Sequence, residues 1–195
     1  MKKIIISSLL ALSASVYAIE PVALLQKNDQ ALKPLLLEYQ KTPTPEKAAL
    51  LRTLGAGLFD VSEMSKRALP TGQWDKLKAD QKKKFADDFK TIMEYGFLEK
   101  MKNEAAFDSV VYKPAQKTAD GQSVEGAVWS KGTSTKVLYK FKTAKELKAY
   151  DLETEGLSTL KAYRDQFKKK FDKTGMAGVI EMVKKNADKK RAQTK

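Results

Sequence analysis

Tyr150-Asp151-Leu152-Glu153-Thr154-Glu155-Gly156-Leu157-Ser158 runs without a break into Thr159-Leu160-Lys161-Ala162-Tyr163-Arg164-Asp165-Gln166-Phe167. The first half reads as a strand and stops at a glycine. The second half changes period, with Leu157, Leu160, Arg164, Phe167 and Phe171 forming a helical stripe that is apolar except for one arginine. A strand that hands over directly to a helix places sheet and helix in one packed unit, and the neighbouring sequence extends both layers.

Upstream lie three more strand candidates, 107–113, 123–131 and 135–142, ahead of the one at 147–155. Asp120-Gly121, Gly132 and a short lysine-rich turn separate them, which suits an antiparallel meander. In the third, Val137, Tyr139 and Phe141 point one way and Leu138, Lys140 and Lys142 the other, so one face is buried and one is largely wet. Downstream, helices are expected over 157–172 and 174–187, followed by a basic tail expected to fray over 189–195.

The N-terminal half is helical. A helix over 21–39 carries Leu24, Leu25, Leu32, Leu35 and Leu36, with a break or kink expected at Pro34. Thr44 can cap and Pro45 suits the first position of the next helix. Asp60 and Glu63 have capping-box spacing for a short third helix that ends at Pro70 to Gly72. The longest helix, 79–103, carries Phe85, Phe89, Ile92, Met93, Gly96, Phe97 and Met101 at spacings of three and four. The fold class is therefore α+β: helices covering one face of a twisted, mainly antiparallel four-stranded sheet. Periodicity fits a dense core between the layers and an apolar cavity equally well.

A second block, Phe59-Asp60-Val61-Ser62-Glu63-Met64-Ser65-Lys66-Arg67-Ala68-Leu69 followed by Trp74, Gln81, Phe85 and Phe89, adds to the one at Tyr150. In order and spacing the two together resemble the toluene-tolerance family of periplasmic phospholipid carriers, the MlaC family, over about 50–183. The sequence departs from the family pattern locally, with a longer turn at Pro70-Thr71-Gly72-Gln73 and Leu147 where relatives often have Trp.

The resemblance implies an apolar lipid cavity between sheet and helices, with the phospholipid head group near solvent. The expected lining is Phe89, Ile92, Met93 and Phe97 from the long helix, Val137, Tyr139, Phe141, Tyr150 and Leu152 from the sheet, and Tyr163 and Phe167 from the penultimate helix. Arg164, a cation on an apolar stripe, needs a partner. It either pairs with a carboxylate such as Asp60, Asp151 or Glu155, or contacts the head-group phosphate with its planar fork. The implied partners are phospholipid, an inner-membrane ABC transporter assembly with an MCE-type ring, and an outer-membrane lipoprotein complex. The chain is expected to be a monomer.

The first residues read as a secretory leader, 1–18: Lys2 and Lys3, an apolar run from Ile4 to Val16, and Val16-Tyr17-Ala18 as cleavage site. That run is shorter than the roughly 20 residues of a membrane-spanning helix. The mature chain, a single domain over 19–188 plus the tail, is expected free in the periplasm. Of the formal charge of +13, the leader carries only Lys2 and Lys3, so the mature chain keeps +11. In an exported protein such a surface favours anionic head groups and acidic protein faces over nucleic acid.

The chain contains no His and no Cys. Ser-His and Cys-His nucleophiles and thiolate metal sites are thereby excluded, and no metal or cofactor is expected. Ser65-Lys66 and Ser130-Lys131 are sequence neighbours, which neither helix nor strand sets side by side. No enzymatic activity is expected. The competing reading is a periplasmic chaperone or structural protein that binds hydrophobic polypeptide or lipoprotein acyl chains.

Overall fold

The computed structural model describes residues 20–103, 107–144 and 146–192. The expected leader lies outside the described residues. Among the described residues five helices come first: α1 (Pro21–Lys41), α2 (Pro45–Gly57), α3 (Val61–Ala68), α4 (Gln73–Lys76) and α5 (Ala79–Asn103). Six strands follow: β1 (Ser109–Tyr112), β2 (Gln116–Thr118), β3 (Gly121–Ser130), β4 (Thr133–Lys142), β5 (Ala149–Thr154) and β6 (Leu157–Ser158). Helix α6 (Thr159–Ala192) closes the chain.

The caps act where the sequence puts them. Thr44 accepts a hydrogen bond from the Lys47 amide at 3.3 Å, and Asp60 accepts one from the Glu63 amide at 2.9 Å. Glu63 turns outward instead of closing the box, and bonds Arg67 at 2.7 Å and Lys142 at 3.0 Å. Helix α1 continues through Pro34. Pro34 and Gln30 are both exposed, so the carbonyl that loses its donor faces water.

The sheet has six strands, not four, in the order β1-β3-β4-β5-β6 with β2 also paired to β3, every pair antiparallel. β2 is entirely exposed and polar, so it carries no hydrophobic alternation to reveal it. β6 forms because the chain doubles back at Glu155 and Gly156, with φ of 49° and 77°, and pairs Leu157 with Thr154. Leu157 is thus a strand residue, 77 % exposed, and not the first member of a helical stripe. Asp151, only 3 % exposed, then starts α6 by accepting from the Leu160 amide at 2.9 Å and the Ser158 hydroxyl at 2.7 Å.

The two expected C-terminal helices are both present within α6 and meet at Gly175, whose φ of 66° and ψ of −170° are not helical, so the element is two helices joined across a kink. The basic tail expected from 189 begins as a continuation of the second helix. Helix continues to Ala192, where Arg191 reaches Asp88 of α5 at 2.9 Å and Lys190 reaches Glu99 at 2.5 Å.

Packing divides the molecule. Between α3, α5 and α6 the core is solid: Phe85, Phe89 and Phe167 are fully buried, with ring centroids 5.7–6.3 Å apart. A second cluster joins α1, α2 and α5 through Leu36, Leu51 and Leu98, and a third sets Leu25 and Leu58 on Val124 and Phe141 of the sheet. The chain between α2 and α3 is stitched to β5 by Asp60 N–H to Ala149 O at 2.8 Å and Ala149 N–H to Leu58 O at 3.0 Å.

Candidate lipid-binding site

Alternation along the strands aims Val110 and Tyr112, Val124, Gly126 and Val128, Val137 and Tyr139, and Leu152 and Thr154 toward the helices, because the register sets these residues side by side. Where α1, α2 and α5 cross this face the layers do not close. One cavity of about 450 Å³ lies against Leu32 and Leu36 of α1, Met101, Val128, Val137 and Tyr139. A second of about 260 Å³ lies against Gly55, Ala56, Phe59, Met93, Gly96 and Tyr163. Phe97, Lys100, Leu152 and Thr154 face both.

The candidates named from sequence therefore divide. Met93, Phe97, Val137, Tyr139, Leu152 and Tyr163 come together around the two cavities. Phe89 and Phe167 are sealed in the aromatic core, with Ile92 half-buried against it. Phe141 is buried under the start of α1 and borders a separate depression with a charged rim of Glu20, Lys142, Glu146 and Lys148. Tyr150 falls in a bulge, since Lys140 pairs with Asp151 and Phe141 with Ala149. Its ring stacks under the Arg67 guanidinium at 4.1 Å, away from both cavities.

Arg164 also departs from expectation. It is exposed, its Nε donates to the Arg67 carbonyl at 3.0 Å, and it lines neither cavity. None of Asp60, Asp151 or Glu155 is its partner: Asp60 caps α3, Asp151 caps α6, and Glu155 accepts from the Lys136 amide. The stripe that seemed to bury it begins one residue pair late, because Leu157 belongs to β6.

Sequence reasoning missed the polar group in the cavity wall. Tyr112 lies across Gly126, whose missing Cβ leaves room for the ring, and donates to Asp29 of α1 at 2.7 Å. Tyr139 lies beside Tyr112 in turn, with the rings edge to face at 6.3 Å. Burial pushes the Asp29 carboxyl above its usual value, and the Tyr112 hydrogen bond offsets only part of that. Burial and the neighbouring carboxylate raise both phenols well above theirs, so both stay neutral. The signal available was Asp29 itself, an acidic residue on the turn before Leu32. Gly55, which carries no side chain for periodicity to register, was missed for that reason.

Chemically the arrangement offers apolar space whose wall carries a few neutral hydroxyls, the Asp29 carboxyl and Lys100. Among the described residues no group of acidic side chains is gathered as a metal would require. No described helix is long and apolar enough to cross a membrane.

Among solved structures, the fold is similar to the phospholipid-binding protein from Ralstonia solanacearum in complex with a phospholipid, with a TM-score of 0.70 and 19 % identity. The match covers 87 % of this chain and 97 % of that one, and at this identity it bears on the fold alone. No curated protein matches the chain. A family model does: the MlaC protein model matches residues 27–185, which takes in all six strands, the residues lining both cavities and most of the helices that cover them. By that match, across most of its length, the chain belongs to the MlaC family.

Proposed function

We propose that this protein is a periplasmic phospholipid carrier, which holds acyl chains between sheet and helices and shuttles lipid between outer- and inner-membrane complexes. Its role on this reading is to maintain the lipid asymmetry of the outer membrane. The observation that carries the proposal is the pair of apolar cavities roofed by α1, α2 and α5 in a chain of the MlaC family. The phospholipid held by the Ralstonia protein of similar fold supports it.

Burying a CH₂ is worth about 0.8 kcal/mol, so a 16-carbon chain leaving a bilayer forfeits roughly 12 kcal/mol that the carrier must return. An apolar enclosure supplies that term; a surface groove does not. The head group stays at the cavity mouth, where exposed lysines such as Lys100 meet phosphate. The protein is exported by its leader, acts as a monomer and catalyses no reaction. It exchanges cargo with an inner-membrane ABC transporter assembly bearing an MCE-type ring and with an outer-membrane lipoprotein complex.

Mass spectrometry of an organic extract of the protein purified from periplasm tests this. Phospholipid in near-stoichiometric amount is expected. Lipidated polypeptide in its place would support the chaperone reading, and an extract free of both would refute lipid carriage.

A further inference from the structure

We infer that Phe97, seated against Gly55, is the partition that divides the binding space into two single-chain slots, so that one diacyl phospholipid straddles its ring. The inference rests on the carrier reading and goes beyond it to the number of chains held and the residue pair that sets that number.

Both cavities share one wall, formed by Phe97 and Lys100 of α5 and Leu152 and Thr154 of β5. A cavity of about 150 Å³ lodges benzene, roughly 25 Å³ per carbon. On that scale the 450 Å³ cavity takes about 18 carbons and the 260 Å³ cavity about ten, which is one whole acyl chain and the inner part of a second. Lys100 faces both slots one turn beyond Phe97, a position that sets a cation where two chains would join at a glycerol phosphate.

The ring is held by contact with backbone. A Cβ built on Gly55 would lie 1.9, 2.1 and 2.4 Å from three atoms of the Phe97 ring, so the ring occupies the space a side chain would need. Phe85 and Phe89, on the same helix, are locked among other aromatic rings. Phe97 has no aromatic ring contact among the described residues. An added methyl at Gly55 would therefore be accommodated by rotation of the ring, and the open directions are the two slots. Overlap that close is relieved by moving a terminal ring more cheaply than by parting α2 from α5.

The test is the acyl-chain count per protein in wild type, Gly55→Ala, Phe97→Ala and the double variant, each purified from periplasm and measured by native mass spectrometry and phosphorus assay. Wild type should carry one diacyl phospholipid. Gly55→Ala should lose most of it or retain only single-chain lysophospholipid, with its circular dichroism unchanged. The double variant should regain diacyl lipid, because the displaced ring is gone. A wild-type load in Gly55→Ala, or a double variant as depleted as Gly55→Ala, would overturn the partition. Should Gly55→Ala fail to fold, Phe97→Ala alone decides. Its joined slots should raise the count above two chains, by a second phospholipid or a four-chain cardiolipin, and an unchanged count would overturn the inference. Wild-type protein free of phospholipid would instead remove the carrier reading itself.

Discussion

Two phenylalanines two turns apart on α5 should separate stability from cargo. Phe89 is fully buried, with the rings of Tyr163, Phe167 and Phe85 at 4.7, 5.7 and 6.3 Å. Truncation to alanine there opens a void in close-packed surroundings and should cost about 3–5 kcal/mol. Phe97 borders space on two sides, so Phe97→Ala enlarges existing cavities and forfeits only the transfer of its covered part, about 1 kcal/mol. At the sensitivity of a domain this size, melting should fall on the order of 10 °C for Phe89→Ala and on the order of 3 °C for Phe97→Ala. The assay is thermal denaturation by circular dichroism after delipidation, since bound lipid raises the apparent stability of whichever variant retains it. Equal losses at the two positions would refute the reasoning, because Phe97 would then be core.

Two further substitutions test the framework. Asp151→Ala strands the Leu160 amide and the Ser158 hydroxyl at the start of α6 and should cost about 3 kcal/mol, seen as a lower urea midpoint with the slope preserved; an unchanged midpoint would mean that water replaces the carboxylate at no cost. Asp29→Asn tests the buried acid. Its folded pKa is raised, so ionisation costs stability, a cost absent below the unfolded value of 3.8 and complete once pH exceeds the raised one. The variant, whose carbonyl can still accept from Tyr112, should match wild type near about pH 3 and exceed it near about pH 7. The same difference at both pH values would show that Asp29 ionises without penalty.

Legibility followed chemistry that repeats. The helices of the N-terminal half declared themselves through Thr44-Pro45, Asp60 and the leucine periods, and the central strands through the alternation of Val137, Tyr139 and Phe141. What failed was aperiodic. The polar β2 and the two-residue β6 have no pattern of their own, and misplacing Leu157 on a helix made Arg164 look buried. Within the site, period alone could not distinguish Phe89 from Phe97, since both lie on the inner side of α5 and only the neighbouring helix decides which is enclosed. Across the sheet, one bulge at Lys140 and Phe141 was enough to take Tyr150 away from the cavity wall.

The lengths of the strands have a consequence for life in a crowded compartment. The two long strands, β3 and β4, lie in the middle, while the margins are formed by β1 with four residues, β2 with three and β6 with two. An open sheet invites a passing chain to add itself along any straight, unpaired margin. Here one margin is split between two fragments, one of them carrying Lys117, and the other stops after two residues where α6 begins. Neither side offers a run long enough for a stranger's backbone to zip along it. A protein with apolar cavities beneath its helices thus gives little purchase for aggregation through its sheet.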